Sequence, residues 1–396
     1  MLASHKQLFL RHFGQTSVNP LAFEIEKAQG IYLYTPSGRK YIDLISGVCV
    51  SNLGHNHPKV IKAIKDQVDK HLHIMVYGEL VQKPQIKLVK LLTDNLPETL
   101  NSVYLVNSGS EAVEGAMKLA KRITGRHEIV AFGKSYHGGT HGALSILGDE
   151  SYKDAFRPLV PSIRFLDFNR KDQLDQISSE TACVVVEPVQ AEAGVIVPVN
   201  DFLSELKKRC LITGTLLIFD EVQTGFGRTG SLFAFEQFKV LPDILVLAKA
   251  LGGGMPLGAF ISSSENMSQL KTNPSLGHIT TFGGHPVSCA AAHAALQVLL
   301  EEEIISDVNR KGNLLKKLIR HETIREFRGM GLFFAVELKN PDHAKRLIKQ
   351  APLKGFLLDS FLFRYDSFRI APPLNITDDE IRMVSNRLLE LIEETQ

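Results

Sequence analysis

Through the middle of the chain, short runs of apolar and β-branched residues alternate with longer stretches whose apolar residues recur at helical spacing. SVYLVN, HEIVAF, SIRFLDF, ACVVVEP, TLLIFDE and DILVLA read as strands, and EAVEGAMKLAKRITG and DFLSELKKRCLITG as helices between them. This alternation needs crossover connections, so it predicts an α/β unit with a mostly parallel sheet covered by helices on both faces. Ligands in such sheets sit outside the carboxyl ends of the strands. Asn107, Glu187, Asp220 and Lys249 all fall at those ends.

From Pro286 the pattern changes to a long Ala/Leu-rich helix, LLKKLIRHETIREFRGMGLFFAVEL, a strand-like SFRIAPPLNIT and a final helix from Asp378. This gives a large domain over residues 45–288 and a smaller α+β domain over 289–396. Residues 1–44, with GIYLYTPSGRKYIDL as a hairpin, are expected to pack against the smaller domain. The helix PVSCAAAHAALQVLL is apolar but shorter than the ~18 residues a membrane span needs. The N-terminal apolar run is too short for a signal-peptide core. With 45 basic and 43 acidic residues interspersed, no nucleic-acid or anionic-membrane surface is expected. The four cysteines are far apart among mostly apolar neighbours, which favours reduced thiols and a cytoplasmic protein.

An ammonium at the end of a hydrophobic strand is disfavoured by burial, which exposes a nucleophilic amine able to form a Schiff base. Lys249 holds that position, and Asp220 ends the strand TLLIFD, where it can face a protonated pyridine nitrogen. NSGSEAVEGAMKLA places Ser108 and Ser110 at a helix start, a phosphate cradle and also an ordinary serine cap with Glu111 in the first turn. GFGRTG at Gly225–Gly230 matches the dinucleotide fingerprint in letters only: DEVQT separates it from its strand, putting two carboxylates where a pyrophosphate would approach. The GKS at Gly133–Ser135 lacks the first glycine of a P-loop. The pairs His55/His57 and His137/His141 lack a third ligand at diagnostic spacing, so turn or pocket-lining roles are expected and no metal.

Taken together, GRKYIDLISG, GHNHPKV, NSGSEA, YHG, EPVQAEAG, FDEVQTGFGRTG, LAKALGGGMPLGA, TTFGGHP and RIAPPL resemble the class III aminotransferases, pyridoxal-phosphate enzymes of fold type I. The group includes ornithine, acetylornithine and 4-aminobutyrate aminotransferases. The resemblance implies pyridoxal phosphate as cofactor, Lys249 as its Schiff-base lysine and proton carrier, and Asp220 as partner of the pyridine nitrogen. Val222 and Tyr136 would sandwich the ring, Gln223 would contact its hydroxyl, and Gly109 and Ser110 would bind the phosphate. Thr281 would join them from a neighbouring subunit, which implies a homodimer. Glu187, Glu192 and Arg369 match substrate-side positions. Arg369 would clamp the carboxylate of a 2-oxo acid, and Glu192 would pair with it when an ω-amine donor is bound.

One position departs from the family pattern. Ornithine and acetylornithine aminotransferases carry an arginine where YHGGT has Gly139, so a substrate carboxylate loses its usual partner. The sequence therefore favours an ω-amine donor lacking that carboxylate, or an acceptor such as pyruvate. Acetylornithine or ornithine aminotransferase with 2-oxoglutarate is the alternative, with Arg157 as a candidate substitute. A nicotinamide dehydrogenase and a non-catalytic assembly protein are weighed against both, and Lys249, Asp220 and the Asn107 cradle argue against them.

Overall fold

Every residue of Thr181–Val186 is buried, so this strand has to lie in the middle of a sheet covered on both faces. The computed structural model, which describes residues 4–396, puts it there. The seven-stranded sheet runs in the order Ser102–Val106, Gly258–Ser262, Ile244–Leu247, Leu216–Asp220, Thr181–Val186, Glu128–Phe132 and Ile163–Leu166. The last five are mutually parallel, as the alternating pattern predicts. Gly258–Ser262 is antiparallel to both of its neighbours. This strand is absent from the sequence expectation, because its five residues follow a Gly/Pro-rich turn that masks a short apolar run.

Helix Gly109–Thr124 covers one face, burying Ala112, Val113, Ala116 and Leu119 and ending on Gly125 in the left-handed conformation (φ 68°). A Cβ at its Gly115 would lie 2.3 Å from a ring carbon of Phe260, so only glycine lets the helix sit this close to the sheet. Helix Pro286–Glu301 is buried on most sides and packs against Pro58–Val68 and Lys83–Asp94. Its apolar surface is therefore interior. Among the described residues no helix is long and apolar enough to cross a membrane.

A second, antiparallel sheet has the order Ile324–Met330, Phe333–Leu338, Arg364–Ile370 and Ser360–Phe361. A third begins with Lys27–Gln29 beside the hairpin of Tyr32–Tyr34 and Lys40–Asp43. Lys40–Asp43 also pairs in parallel with Phe356–Leu357, so early and late parts of the chain share one sheet. Residues 1–3 of the expected N-terminal segment lie outside the described residues.

The GFGRTG stretch is a clasp. Its turn is held by Gly227 and Gly230 at φ 88° and 98°, and Arg228 is fully buried. The guanidinium donates from Nη1 to the carbonyls of Leu332 (2.9 Å) and Pro372 (2.6 Å), and from Nη2 to Asn52 Oδ1 (2.5 Å). Three distant segments are thereby joined. Arg228→Met keeps the bulk but strands these acceptors, so the midpoint of urea unfolding should drop by the equivalent of about 2–4 kcal/mol.

Candidate active site

The carboxyl ends of the parallel strands open into a cavity of about 380 Å³, with walls from three parts of the chain. The first is the start of helix Gly109–Thr124. Ser108 is extended (φ −150°, ψ 166°), and its hydroxyl accepts the Glu111 N–H at 3.2 Å. Glu111 turns back to accept the Asn107 N–H at 2.8 Å. The other N–H groups of this first turn have no partner within the helix, and Gly109 and Ser110 line the cavity. A cap and a helix start open to the cavity thus coexist. A Cβ on Gly109 would press on Val222 at 3.2 Å and Ala248 at 3.4 Å, so glycine keeps the cradle close to the opposite wall.

The second wall carries Tyr136, His137 and Glu187. Glu187 is buried and accepts the N–H groups of Tyr136 (3.1 Å) and Ala191 (2.9 Å). Burial pushes its carboxyl up to about 7, with the nearby Asp220 charge acting in the same direction and His137 against it. The Tyr136 hydroxyl is raised above its ordinary value, chiefly by burial and also by Glu192.

Asp220, Val222, Gln223 and Lys249 form the third wall. Asp220 accepts the Val222 N–H on Oδ1 at 3.0 Å and pairs through Oδ2 with His137 Nδ1 at 2.7 Å. Burial works to lower the His137 imidazole, but the bond to Asp220 and the charges of Asp220 and Glu187 overcome it and raise the net value. His137 Nε2 is buried without a partner. Lys249 follows strand Ile244–Leu247 and is held at φ 50°. A left-handed residue other than glycine costs about 1–2 kcal/mol, and here it turns the side chain out of the sheet. What surface Lys249 retains opens on the cavity, and burial lowers its amine below the ordinary lysine value, against the pull of Cys49, Glu192 and Asp220.

Behind Gln223 lies a buried charge cluster. Arg369 Nη2 donates to both oxygens of Glu192 (2.8 and 3.1 Å), while Gln223 links the two, accepting from Arg369 Nη1 at 3.1 Å and donating to Glu192 at 3.0 Å. Burial alone would raise the Glu192 carboxyl, but Arg369 and Gln223 hold it below the usual range. The structure therefore brings Glu192 and Arg369 together as a pair, adjoining the cavity rather than lining it.

Other candidates lie elsewhere. Thr281 is exposed and outside the cavity of its own chain, next to Thr280, which accepts from Asn107 Nδ2 at 2.8 Å. Arg157 pairs with Glu150 at 2.9 Å. His55 bonds Asp43 at 2.9 Å, and His57 precedes helix Pro58–Val68. Among the described residues no group of three His, Cys, Asp or Glu side chains converges. Sequence reasoning missed His137 as the partner of Asp220. Its place directly after Tyr136, itself a candidate, is the signal that was available.

A lysine nucleophile, a buried carboxylate and a free helix start on one cavity form the donor set that a phosphorylated pyridine aldehyde requires, so the residues fit pyridoxal phosphate. The aminotransferase class-III family model matches residues 13–392. An acetylornithine aminotransferase of Methanopyrus kandleri is 40% identical over 369 residues, covering 92% of this chain and 92% of that protein. Two solved structures are also similar. One is an ornithine aminotransferase of Toxoplasma gondii with partial occupancy of pyridoxal phosphate at its active site: 28% identity, TM-score 0.91, covering 99% of this chain and 95% of that one. The other is an (S)-enantioselective omega-transaminase of Thermomicrobium roseum: 27% identity, TM-score 0.90, covering 98% and 97%.

Proposed function

The chain belongs to the class III aminotransferases, and from that premise we propose that its amino donor is an ω-amine without the carboxylate that ornithine-type donors carry. The enzyme catalyses pyridoxal-phosphate-dependent transamination from an amino donor to a 2-oxo acid. Bound pyridoxal phosphate supplies the electron sink for the C–H bond broken at the donor carbon. In our reading the Lys249 amine would hold the cofactor and, when free, would carry the proton from the donor carbon. Its lowered basicity suits it to both tasks. Asp220 would hold the pyridine nitrogen, Gly109 and Ser110 the phosphate, Tyr136 and Val222 the ring faces, and Gln223 the ring hydroxyl; all of them line the cavity. Glu187 completes that wall. Glu192 and Arg369 form the gate at which a 2-oxo acid carboxylate exchanges with Glu192.

Residues 45–288 form the cofactor-binding domain in this reading, with 289–396 and the N-terminal segment as the smaller unit. The working enzyme is a homodimer. Thr281 points to it, since the flanking Leu276, Ile279 and Phe282 are each about half exposed and would be covered by a second copy. Thr281 would then serve the neighbour's phosphate cradle. Four buried, unpaired cysteines support a reducing, cytoplasmic setting.

The observation that carries the donor proposal is Gly139. It is exposed, beside the wall residue Gly138, and a Cβ built on it meets nothing within 4 Å. No guanidinium is supplied there, and Arg157 is engaged with Glu150. A second reading, acetylornithine or ornithine aminotransferase with 2-oxoglutarate, is favoured by the 40% identical relative. Adding N-acetylornithine to the coloured holoenzyme without a 2-oxo acid decides between them. An unchanged visible spectrum supports our proposal; conversion to the pyridoxamine form establishes the second reading. Because Gly139 has room and ordinary backbone geometry, Gly139→Arg should fold normally and raise kcat/KM for N-acetylornithine by about tenfold or more, the value of one charged contact.

A further inference from the structure

Arg369 and Asp359 are cross-strand neighbours: the Arg369 backbone N–H donates to the Asp359 carbonyl at 3.0 Å. Their side chains also meet, with Nε 3.3 Å from Oδ1. Neither atom makes an aligned hydrogen bond, and both are buried without a partner. A buried donor and a buried acceptor left unpaired in contact are costly, and a small turn of the guanidinium would pair them. Glu192 and Gln223 prevent that turn by holding Nη2 and Nη1. The Phe361 ring, 4.7 Å from the guanidinium carbon, gives it a flat surface to turn on. The arginine thus has one carboxylate seat filled and another adjacent.

We propose that Asp359 is the second seat of Arg369: when a substrate carboxylate displaces Glu192, the guanidinium turns onto Asp359, keeping a counter-ion and its aim. The inference rests on Arg369 being the carboxylate clamp. Asp359 is then a positioning residue that sets the affinity for the 2-oxo acid. Without it the guanidinium has no second carboxylate to hold its aim once Glu192 is displaced, so the Glu192-paired arrangement competes harder against the incoming acid.

The charged groups around Asp359 are Arg369 on its own hairpin, Glu192 from the loop after Thr181–Val186, and Asp43 from the N-terminal sheet. Burial raises the Asp359 carboxyl to about 6; Arg369 opposes this, and Glu192 and Asp43 add to it. Its side chain keeps 32% exposure, so it exchanges protons with solvent. A protonated Asp359 cannot seat the guanidinium, so affinity for the 2-oxo acid should weaken as pH falls through about 6.

The test measures KM and kcat of the holoenzyme for pyruvate and 2-oxoglutarate, whichever is accepted, across this pH range. Asp359→Asn should raise KM about tenfold with kcat within about twofold, and the rise of KM below about pH 6 should vanish. An unchanged KM, or a kcat that falls in step with the rise in KM, overturns the second seat. If the variant does not fold, the native profile decides alone: a KM flat through about 6 overturns it. Arg369→Lys separates the two ideas. If it leaves KM unchanged, the clamp reading fails; if it raises KM while Asp359→Asn does not, only the second seat fails.

Discussion

Lys249→Ala should lower kcat by at least about 10⁴-fold while leaving the thermal midpoint within a few degrees of the native value. In the proposed roles catalysis would depend on the amine twice, as the group that would hold the cofactor carbonyl and as the acid and base at the donor carbon, and alanine supplies neither. Stability does not depend on it. The side chain faces a cavity, and its ammonium form is disfavoured there by burial, so truncation removes little packing and no favourable charge. The backbone strain at φ 50° stays with alanine, so no relief is expected either. Single-turnover rates with donor alone, beside a melting curve, provide the measurement. Residual turnover within about a hundredfold of native would remove Lys249 from the chemistry.

The second large effect is at Asp220. Asp220→Asn keeps shape and volume but removes the negative charge, and an amide can present a donor where the carboxylate accepts from His137 Nδ1 at 2.7 Å. Loss of a preorganised buried charge at a reacting centre costs about 10²–10³ in kcat. His137 reports the change independently. Burial already works to lower its imidazole, and the net upward shift comes from the bond to Asp220 and the charges of Asp220 and Glu187. With the first two removed, the imidazole should titrate below the ordinary histidine value, as followed by NMR of the ring protons. The stability consequence has a definite sign. A raised histidine contributes stability that is complete below its unfolded value and is lost as pH rises through the folded value, so the variant should lack that slope.

Much of this site was legible because the chemistry sits where the pattern breaks. Asp220 and Lys249 each interrupt a run of apolar residues at a strand end, and Ser108 stands where strand gives way to helix. Fold class followed from the same alternation. The relations hidden from the sequence are those between side chains far apart in the chain. His137 meets Asp220 across the sheet end, and Asp359 meets Arg369 only because a hairpin aligns them. Local spacing carries no trace of the second contact, and only the place of His137 directly after Tyr136 hints at the first. Arg228 shows the converse, a motif in letters that the sequence reading set aside. GFGRTG has the letters of a phosphate loop, yet its glycines serve a turn that aims a buried guanidinium at carbonyls of another layer. Gly258–Ser262 escaped because its continuous apolar run is only Ala259–Ile261, set between a Gly/Pro-rich turn and the polar SSSEN.

The pairing of Lys40–Asp43 with Phe356–Leu357 sets a schedule for the protein's biogenesis. At synthesis rates of about 5–20 residues per second, the late strand emerges roughly 15–60 s after the early one. During that interval the Tyr32–Asp43 hairpin leaves the ribosome with one edge unpaired, and Asp43, whose carboxylate receives the N–H groups of Ile45 and Ser46, waits for its sheet to close. A nascent chain stalled before Phe356 should accordingly engage holdase chaperones through this hairpin, and release from them should follow once Phe356–Leu357 has emerged.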